Sequence, residues 1–145
     1  MSQPYVIGFY GYSNSGKTTL ILRLIEQLKK EKFVVGSIKQ TDKPFSMDTP
    51  EKDTWKHKNA GADIVVFSSS LESTVLIPEP MKIQDVVEIM KKVKDLDIIL
   101  VEGATDPLIP KIRIGLREER KNTVYTYDGD FNKLFKYLKQ EIHAR

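Results

Sequence analysis

Apolar and polar positions change period several times along the chain, and each change marks an element. Residues 5–10, YVIGFY, form an apolar run of strand length. In TLILRLIEQLKK, residues 19–30, Ile21, Leu24, Ile25 and Leu28 recur at i, i+3, i+4 and i+7. That spacing predicts a helix with one apolar face. FVVGSIK, residues 33–39, predicts a second strand. From Gln40 to Thr54 the chain is polar, and Pro44 and Pro50 argue against a helix there. A short helix is expected from Asp53 to Ala60. DIVVFS (63–68) and STVLIP (73–78) predict two strands joined by the turn SSSLE. Ile83, Val86, Val87 and Met90 share one face of a predicted helix over residues 82–93. DIILVE (97–102) is apolar through its middle, as in a buried strand. KIRIGL (111–116) and VYTY (124–127) predict two more strands. Asp130 is placed as the N-cap of a last helix carrying Phe131, Leu134, Phe135, Leu138 and Ile142.

Between the first strand and the first helix stands GYSNSGKT, residues 11–18, which fits the phosphate-cradle pattern GxxxxGK[ST]. Strand, loop and helix are the context this chemistry needs. Gly11 and Gly16 permit backbone angles and close approaches that a side chain would block. The loop N–H groups and the unpaired N–H groups of the helix start converge on an anion. The expected phosphate contacts are Gly11, Tyr12, Ser13, Asn14, Ser15, Gly16, Lys17, Thr18 and Thr19. Lys17 is placed to meet the β- and γ-phosphates, and the Thr18 hydroxyl to hold Mg²⁺.

Apolar strands alternating with amphipathic helices give an α/β fold with a mostly parallel sheet covered on both faces. With the motif, this predicts a P-loop NTPase-like three-layer sandwich. No repeat, low-complexity tract or linker divides the 145 residues, so one nucleotide-binding domain is expected over 1–145. The absence of cysteine excludes disulfides, thiolate metal sites and a cysteine nucleophile. The net charge of +3 is mild and the charges are mixed. KKEK (29–32) and REERK (117–121) read as solvated faces, and no aromatic-interleaved basic stripe points to nucleic acid. No apolar run is long enough to span a membrane, and MSQPYVIGFY has no basic-then-apolar signal pattern, so a cytoplasmic protein is expected.

A P-loop site needs a carboxylate near Mg²⁺ at the C-terminal end of a neighbouring apolar strand. Glu102, at the end of DIILVE, is the candidate; Asp97 lies at the wrong end. The long polar segment supplies Asp48 and Asp53, candidates to hold Mg²⁺ through water or to orient a hydrolytic water. Lys39 and Lys52 are candidates for phosphate oxygens. His57 and His143 form no metal-ligand pattern.

GYSNSGKTTL, VGSIKQ, DTPEKDTWKHKNAGAD and DIILVEG, in this order and spacing, resemble the molybdopterin-guanine dinucleotide biosynthesis adapter family, MobB. The resemblance covers roughly residues 5–115. It implies GTP binding with slow hydrolysis, a homodimer, and service to the guanylyltransferase that joins GMP to molybdopterin. It places phosphate contacts at Gly11 to Thr18, and metal and loop functions at Asp48, Lys52, Asp53 and Glu102. The sequence departs from the family pattern at IKQTDK, at Glu51 of PEKD, and at Ala104 and Thr105 after VEG. GTPases commonly read guanine with an [NT]KxD segment; NKLF at Asn132 lacks the acid, so guanine rests on the resemblance. Two classes stand: the GTP-binding adapter, and a P-loop kinase using ATP on a small metabolite. A kinase lid wants arginines. Arg113, Arg117 and Arg120 cluster, but REERK alternates in sign and reads as surface. With no arginine finger evident, slow turnover is expected.

Overall fold

The computed structural model describes residues 3–145. In chain order the elements are β1 (Tyr5–Tyr10), α1 (Lys17–Lys30), β2 (Val35–Lys39), α2 (Asp53–Asn59), β3 (Val65–Ser68), β4 (Ser73–Leu76), α3 (Ile83–Val93), β5 (Ile98–Glu102), β6 (Lys111–Ile114), β7 (Thr123–Tyr127) and α4 (Phe131–His143). They form two compact units. One holds the chain up to Thr41 and from Ile83 to Arg145; the other is Asp42–Lys82.

The larger unit is built on five parallel strands in the order β2-β5-β1-β6-β7. Alternate side chains of these strands go to opposite faces. On one face Tyr5, Ile7, Phe9, Ile98, Leu100, Ile112 and Ile114 pack with Leu20, Leu24 and Leu28 of α1 and Phe131, Leu134 and Leu138 of α4. On the other, Ile99 and Val101, with Val6 and Ile38, pack with Ile83, Val87 and Met90 of α3. This is the expected three-layer α/β arrangement. It also explains why β1 and β5 read as continuous apolar runs: both faces are covered.

Several predicted boundaries shorten, among them the start of β3, at Val65 rather than Asp63. β2 begins at Val35 rather than Phe33, because Val34 is held by Asp97: its N–H donates to Asp97 Oδ2 at 2.7 Å. β6 ends at Ile114 rather than Leu116, where Gly115 turns the chain with φ 73°. β4 stops at Leu76, ahead of Pro78.

The smaller unit contains α2 and an antiparallel β3–β4 hairpin, paired from Val65↔Leu76 to Ser68↔Ser73. Its turn is closed by Ser69, whose hydroxyl accepts from the N–H groups of Leu71 and Glu72 at 3.1 and 3.2 Å. These two strands form their own sheet rather than extending the parallel one. Ile64, Val66, Phe67, Leu71 and Val75 are exposed on this segment. Among the described residues no helix is long and apolar enough to cross a membrane.

Candidate functional site

Because β1, β2, β5, β6 and β7 all run in one direction, the loops that follow them emerge at one edge of the sheet, where open α/β sheets bind ligands. The phosphate loop leaves β1 at the centre of that edge. Gly11 must lack a side chain: a Cβ there would lie 2.8 Å from the Ile114 carbonyl and 2.8 Å from Ser15 Oγ. The Ser15 N–H closes a turn on the Tyr12 carbonyl at 3.1 Å, with Asn14 at φ 63°. Gly16 then starts α1 in the left-handed conformation, φ 89°. No side chain caps α1, and its first turn carries no acid. Its N-terminal N–H groups and positive dipole end are therefore left for an anion. The Ser15 hydroxyl is buried with no hydrogen-bond partner, a second sign of an incomplete polar shell in this loop. Lys17 folds back, its Nζ donating to the Gly11 carbonyl at 3.3 Å.

Parallel pairing brings the sequence-predicted metal ligands together. Glu102 is in register with Phe9 of β1 and Lys39 of β2. Thr18 Oγ1 donates to Glu102 Oε1 at 3.0 Å, and Lys39 Nζ is ion-paired with Glu102 Oε2. Burial pushes the Glu102 carboxyl up, but hydrogen bonds from Lys39 and Thr18 and the charges of Lys39 and Lys17 outweigh it. The group lies below the ordinary carboxyl value. Thr18, Glu102, Lys39 and Lys17 thus form one cluster from three elements far apart in sequence. Asp97 has the structural role noted above, at the opposite end of β5.

Two features of the β6 region escaped the sequence, the first of them at the N-terminal end of that strand. Lys111, within the strand KIRI, is fully buried. Its Nζ donates to the carbonyls of Ile109 and Lys121, both at 2.8 Å, and to that of Asp106. One ammonium therefore ties the loop after β5 to the loop after β6; burial lowers its pKa, and the nearby Asp106 partly opposes this. Nothing in an alternating strand pattern separates such a lysine from a solvated one. The segment REERK is likewise not all solvated. Arg120 donates to the Ala104 carbonyl at 2.7 Å and lies over the Tyr10 ring, 4.8 Å from its centroid. The Arg117 guanidinium lies 4.9 Å from the Tyr12 ring of the phosphate loop.

The remaining predicted residues belong to the smaller unit. Asp48, Lys52 and Asp53, with Met47, line a groove of about 640 Å³ whose other wall is Val65, Phe67 and Leu76 of the hairpin. Asp48 Oδ1 accepts from Thr54 Oγ1 and from the Thr49 N–H, both at 3.1 Å, which fixes the carboxylate against the start of α2.

The strand–loop–helix motif GxxxxGK[ST] is shared by many proteins; comparison with known proteins narrows it. The sequence pattern of the family described as Molybdopterin guanine dinucleotide synthesis protein B, MobB, matches residues 6–134. The chain belongs to the MobB family. A Haemophilus influenzae molybdopterin-guanine dinucleotide biosynthesis adapter protein is 31% identical over 122 residues, 83% of this chain and 68% of that protein. The Escherichia coli adapter protein of the same description is 32% identical over 111 residues, 74% of this chain and 63% of its own length. A putative Methanocaldococcus jannaschii adapter protein is also 32% identical, and there the match spans 45% of the relative. Among solved structures, MobB of Bacillus subtilis superposes with a TM-score of 0.67 at 26% identity, covering 83% of this chain and 76% of that one. A MobB homologue from Bacillus stearothermophilus, at 19% identity and a TM-score of 0.70, covers 97% and 99% and shares the fold.

Proposed function

We propose that this chain is a GTP-binding adapter with slow GTPase activity that assists molybdopterin guanine dinucleotide synthesis. The observation that carries the reading is the uncapped start of α1 beneath Gly11–Gly16, with Lys17 in the loop and Thr18 hydrogen-bonded to Glu102 beside it. That set accepts a nucleotide polyphosphate, and membership of the MobB family directs the choice to GTP. The residues Gly11, Tyr12, Ser13, Asn14, Ser15, Gly16, Lys17, Thr18 and Thr19 bind the phosphates. Mg²⁺ fits the donor set: this ion takes one or two protein oxygens and fills its other positions with water and phosphate. Thr18 and Glu102 are those oxygens, and the bound ion would neutralise charge on the phosphates. Lys39 holds Glu102 ionised and aimed at the site, and it is free to trade that carboxylate for a phosphate oxygen.

Asp48, Lys52 and Asp53 are proposed as the loop residues that act during hydrolysis, Asp48 being already oriented by Thr54. Slow turnover is proposed from the resemblance to the MobB family. A homodimer is proposed as well; the exposed apolar side chains of Ile64, Val66, Leu71 and Val75 support it. The partner is the guanylyltransferase acting on molybdopterin.

The test is reconstitution of that guanylyltransferase with molybdopterin and GTP. The wild-type chain is expected to raise dinucleotide formation, and Lys17→Ala is expected not to. Absence of stimulation, combined with rapid phosphoryl transfer from ATP to a small metabolite, would replace the adapter by the kinase.

A further inference from the structure

Arg113, Arg117 and Arg120 come from β6 and the loop that follows it. Among the described residues none of the three is ion-paired with a carboxylate, although Glu118 and Glu119 adjoin them in sequence. Arg120 is spoken for by the Ala104 carbonyl and the Tyr10 ring. Its guanidinium feels the like charge of Arg117, which, after burial, is the next influence lowering its pKa. The two guanidiniums lie over the rings of Tyr12 and Tyr10, two residues apart, and among the described residues neither is paired with a carboxylate. Among the described residues the Arg117 side chain makes no hydrogen bond; its contact is with the face of Tyr12. Tyr12 is the second residue of the phosphate loop, and its carbonyl lies 3.5 Å from Lys17 Nζ.

The strand order fixes where this cation stands. β1 lies between β5 and β6. Thr18, Glu102 and Lys39 gather on the β5 side of the phosphate loop. Arg117 approaches from the β6 side, where the Ile114 carbonyl packs so closely that Gly11 has no room for a Cβ. A ligand polyphosphate seated on the start of α1 would have the carboxylate and lysines on one flank and Arg117 on the other. A guanidinium over a ring at 4.9 Å is a weak tether at an exposed site. A phosphate oxygen is a far better partner, because the hydrogen bond is charge-assisted and frequently bidentate.

We propose that Arg117 is a polyphosphate-binding residue, supplied in cis by the β6–β7 loop, which leaves the Tyr12 ring to contact a phosphate oxygen. The proposal rests on the phosphate-site reading but not on the identity of the base. The slow turnover proposed above is compatible with it, since a contact made in the ground state raises affinity without accelerating hydrolysis.

The experiment is titration calorimetry of the whole chain with three probes, tripolyphosphate, GDP and a non-hydrolysable GTP analogue, each with Mg²⁺. Arg117→Gln is expected to weaken tripolyphosphate about tenfold or more, the loss typical of a charge-assisted contact. The dependence of its affinity on salt should become shallower, because one charge has left the site. Arg117→Lys should recover most of the affinity, and thermal unfolding of both variants should match wild type. Arg117→Gln binding tripolyphosphate as wild type does, while Lys17→Ala fails to, would overturn the proposal and leave the phosphate site standing. Loss with GDP but not with tripolyphosphate would assign Arg117 to the nucleoside and overturn it too. If the wild-type chain binds none of the three probes, the phosphate-site reading falls, and this one with it.

Discussion

At the scale of single residues, charge and burial decide what each side chain does. Lys17 is half-buried and lies outside the apolar core, so Lys17→Ala should leave circular dichroism native. It should weaken GTP at least about tenfold, since a lost charge-assisted contact costs roughly 1.5–3 kcal/mol; unchanged calorimetry would remove the phosphate assignment. Glu102 carries a pH prediction. Its folded-state pKa lies below the ordinary carboxyl value, chiefly because the Lys39 and Thr18 bonds overcome burial. The unfolded chain therefore takes up the proton first as pH falls. The stability Glu102 contributes is fully present above the ordinary carboxyl range and is lost as pH drops through its folded value. A melting series from neutral to about pH 3 should show Glu102→Gln less stable than wild type at neutral pH and nearly equal to it at the acid end. Lys111 is the opposite case, a buried cation whose importance is structural. Lys111→Met fills the same space but leaves the carbonyls of Ile109, Lys121 and Asp106 without their donor. The buried Ile109 acceptor would cost about 1–3 kcal/mol when orphaned, and the part-buried carbonyls of Asp106 and Lys121 less, since water reaches them. A fall in melting temperature is expected, and an unchanged one would mean water replaces the ammonium freely.

At the scale of elements, the helices are held by the sheet more than by themselves. α1 has no cap and no first-turn acid, the signals that usually stabilise a helix start. Its stability comes from Leu20, Leu24 and Leu28 packed on β1 and β5. Leu24→Ala should then cost about 2–5 kcal/mol. In α4, Asp130 Oδ1 caps the Lys133 N–H at 3.1 Å, and Asp130→Ala should cost only about 1 kcal/mol. Urea denaturation of the two variants would show this ordering; a larger loss for Asp130→Ala would contradict it. The contrast is the one the proposed phosphate-binding role requires. A capping side chain on α1 would occupy the N–H groups that the anion needs.

At the scale of the whole molecule, the two compact units carry different surfaces. The parallel-sheet unit presents the phosphate loop; the Asp42–Lys82 unit presents exposed apolar side chains around its hairpin. Exposed Val, Ile and Leu on a two-stranded ribbon are poorly suited to remain in water, and isolated hairpins are marginal. Light scattering at micromolar concentration is expected to give a dimer. A charged substitution such as Val75→Glu is expected to shift it toward monomer without unfolding the sheet. A monomer for the wild type, with and without GTP, would count against the homodimer.

Much of this was legible in the sequence. Apolar period and run length located the strands and the long helices of the parallel-sheet unit, because their apolar side chains must be buried on a helical or a sheet face, and that requirement is written locally; the short α2, which buries no side chain, carried no such signal. The motif of the proposed phosphate site was legible for a similar reason: its glycines, lysine and threonine stand within eight consecutive residues. Glu102 could be proposed from its place at the end of an apolar strand. Its bonds to Thr18 and Lys39 could not, since they depend on strand order across 84 and 63 positions of chain. The separation of the β3–β4 hairpin from the parallel sheet was hidden too, because an apolar strand does not name its neighbours. Lys111 and Arg117 were decided wholly by tertiary structure. A lysine in a strand and an arginine in a charged run look solvated until the fold supplies three carbonyls for one and a tyrosine of the phosphate loop for the other. Local burial is encoded in local pattern, whereas the partners of a charge are set by which loops the sheet brings to the same edge.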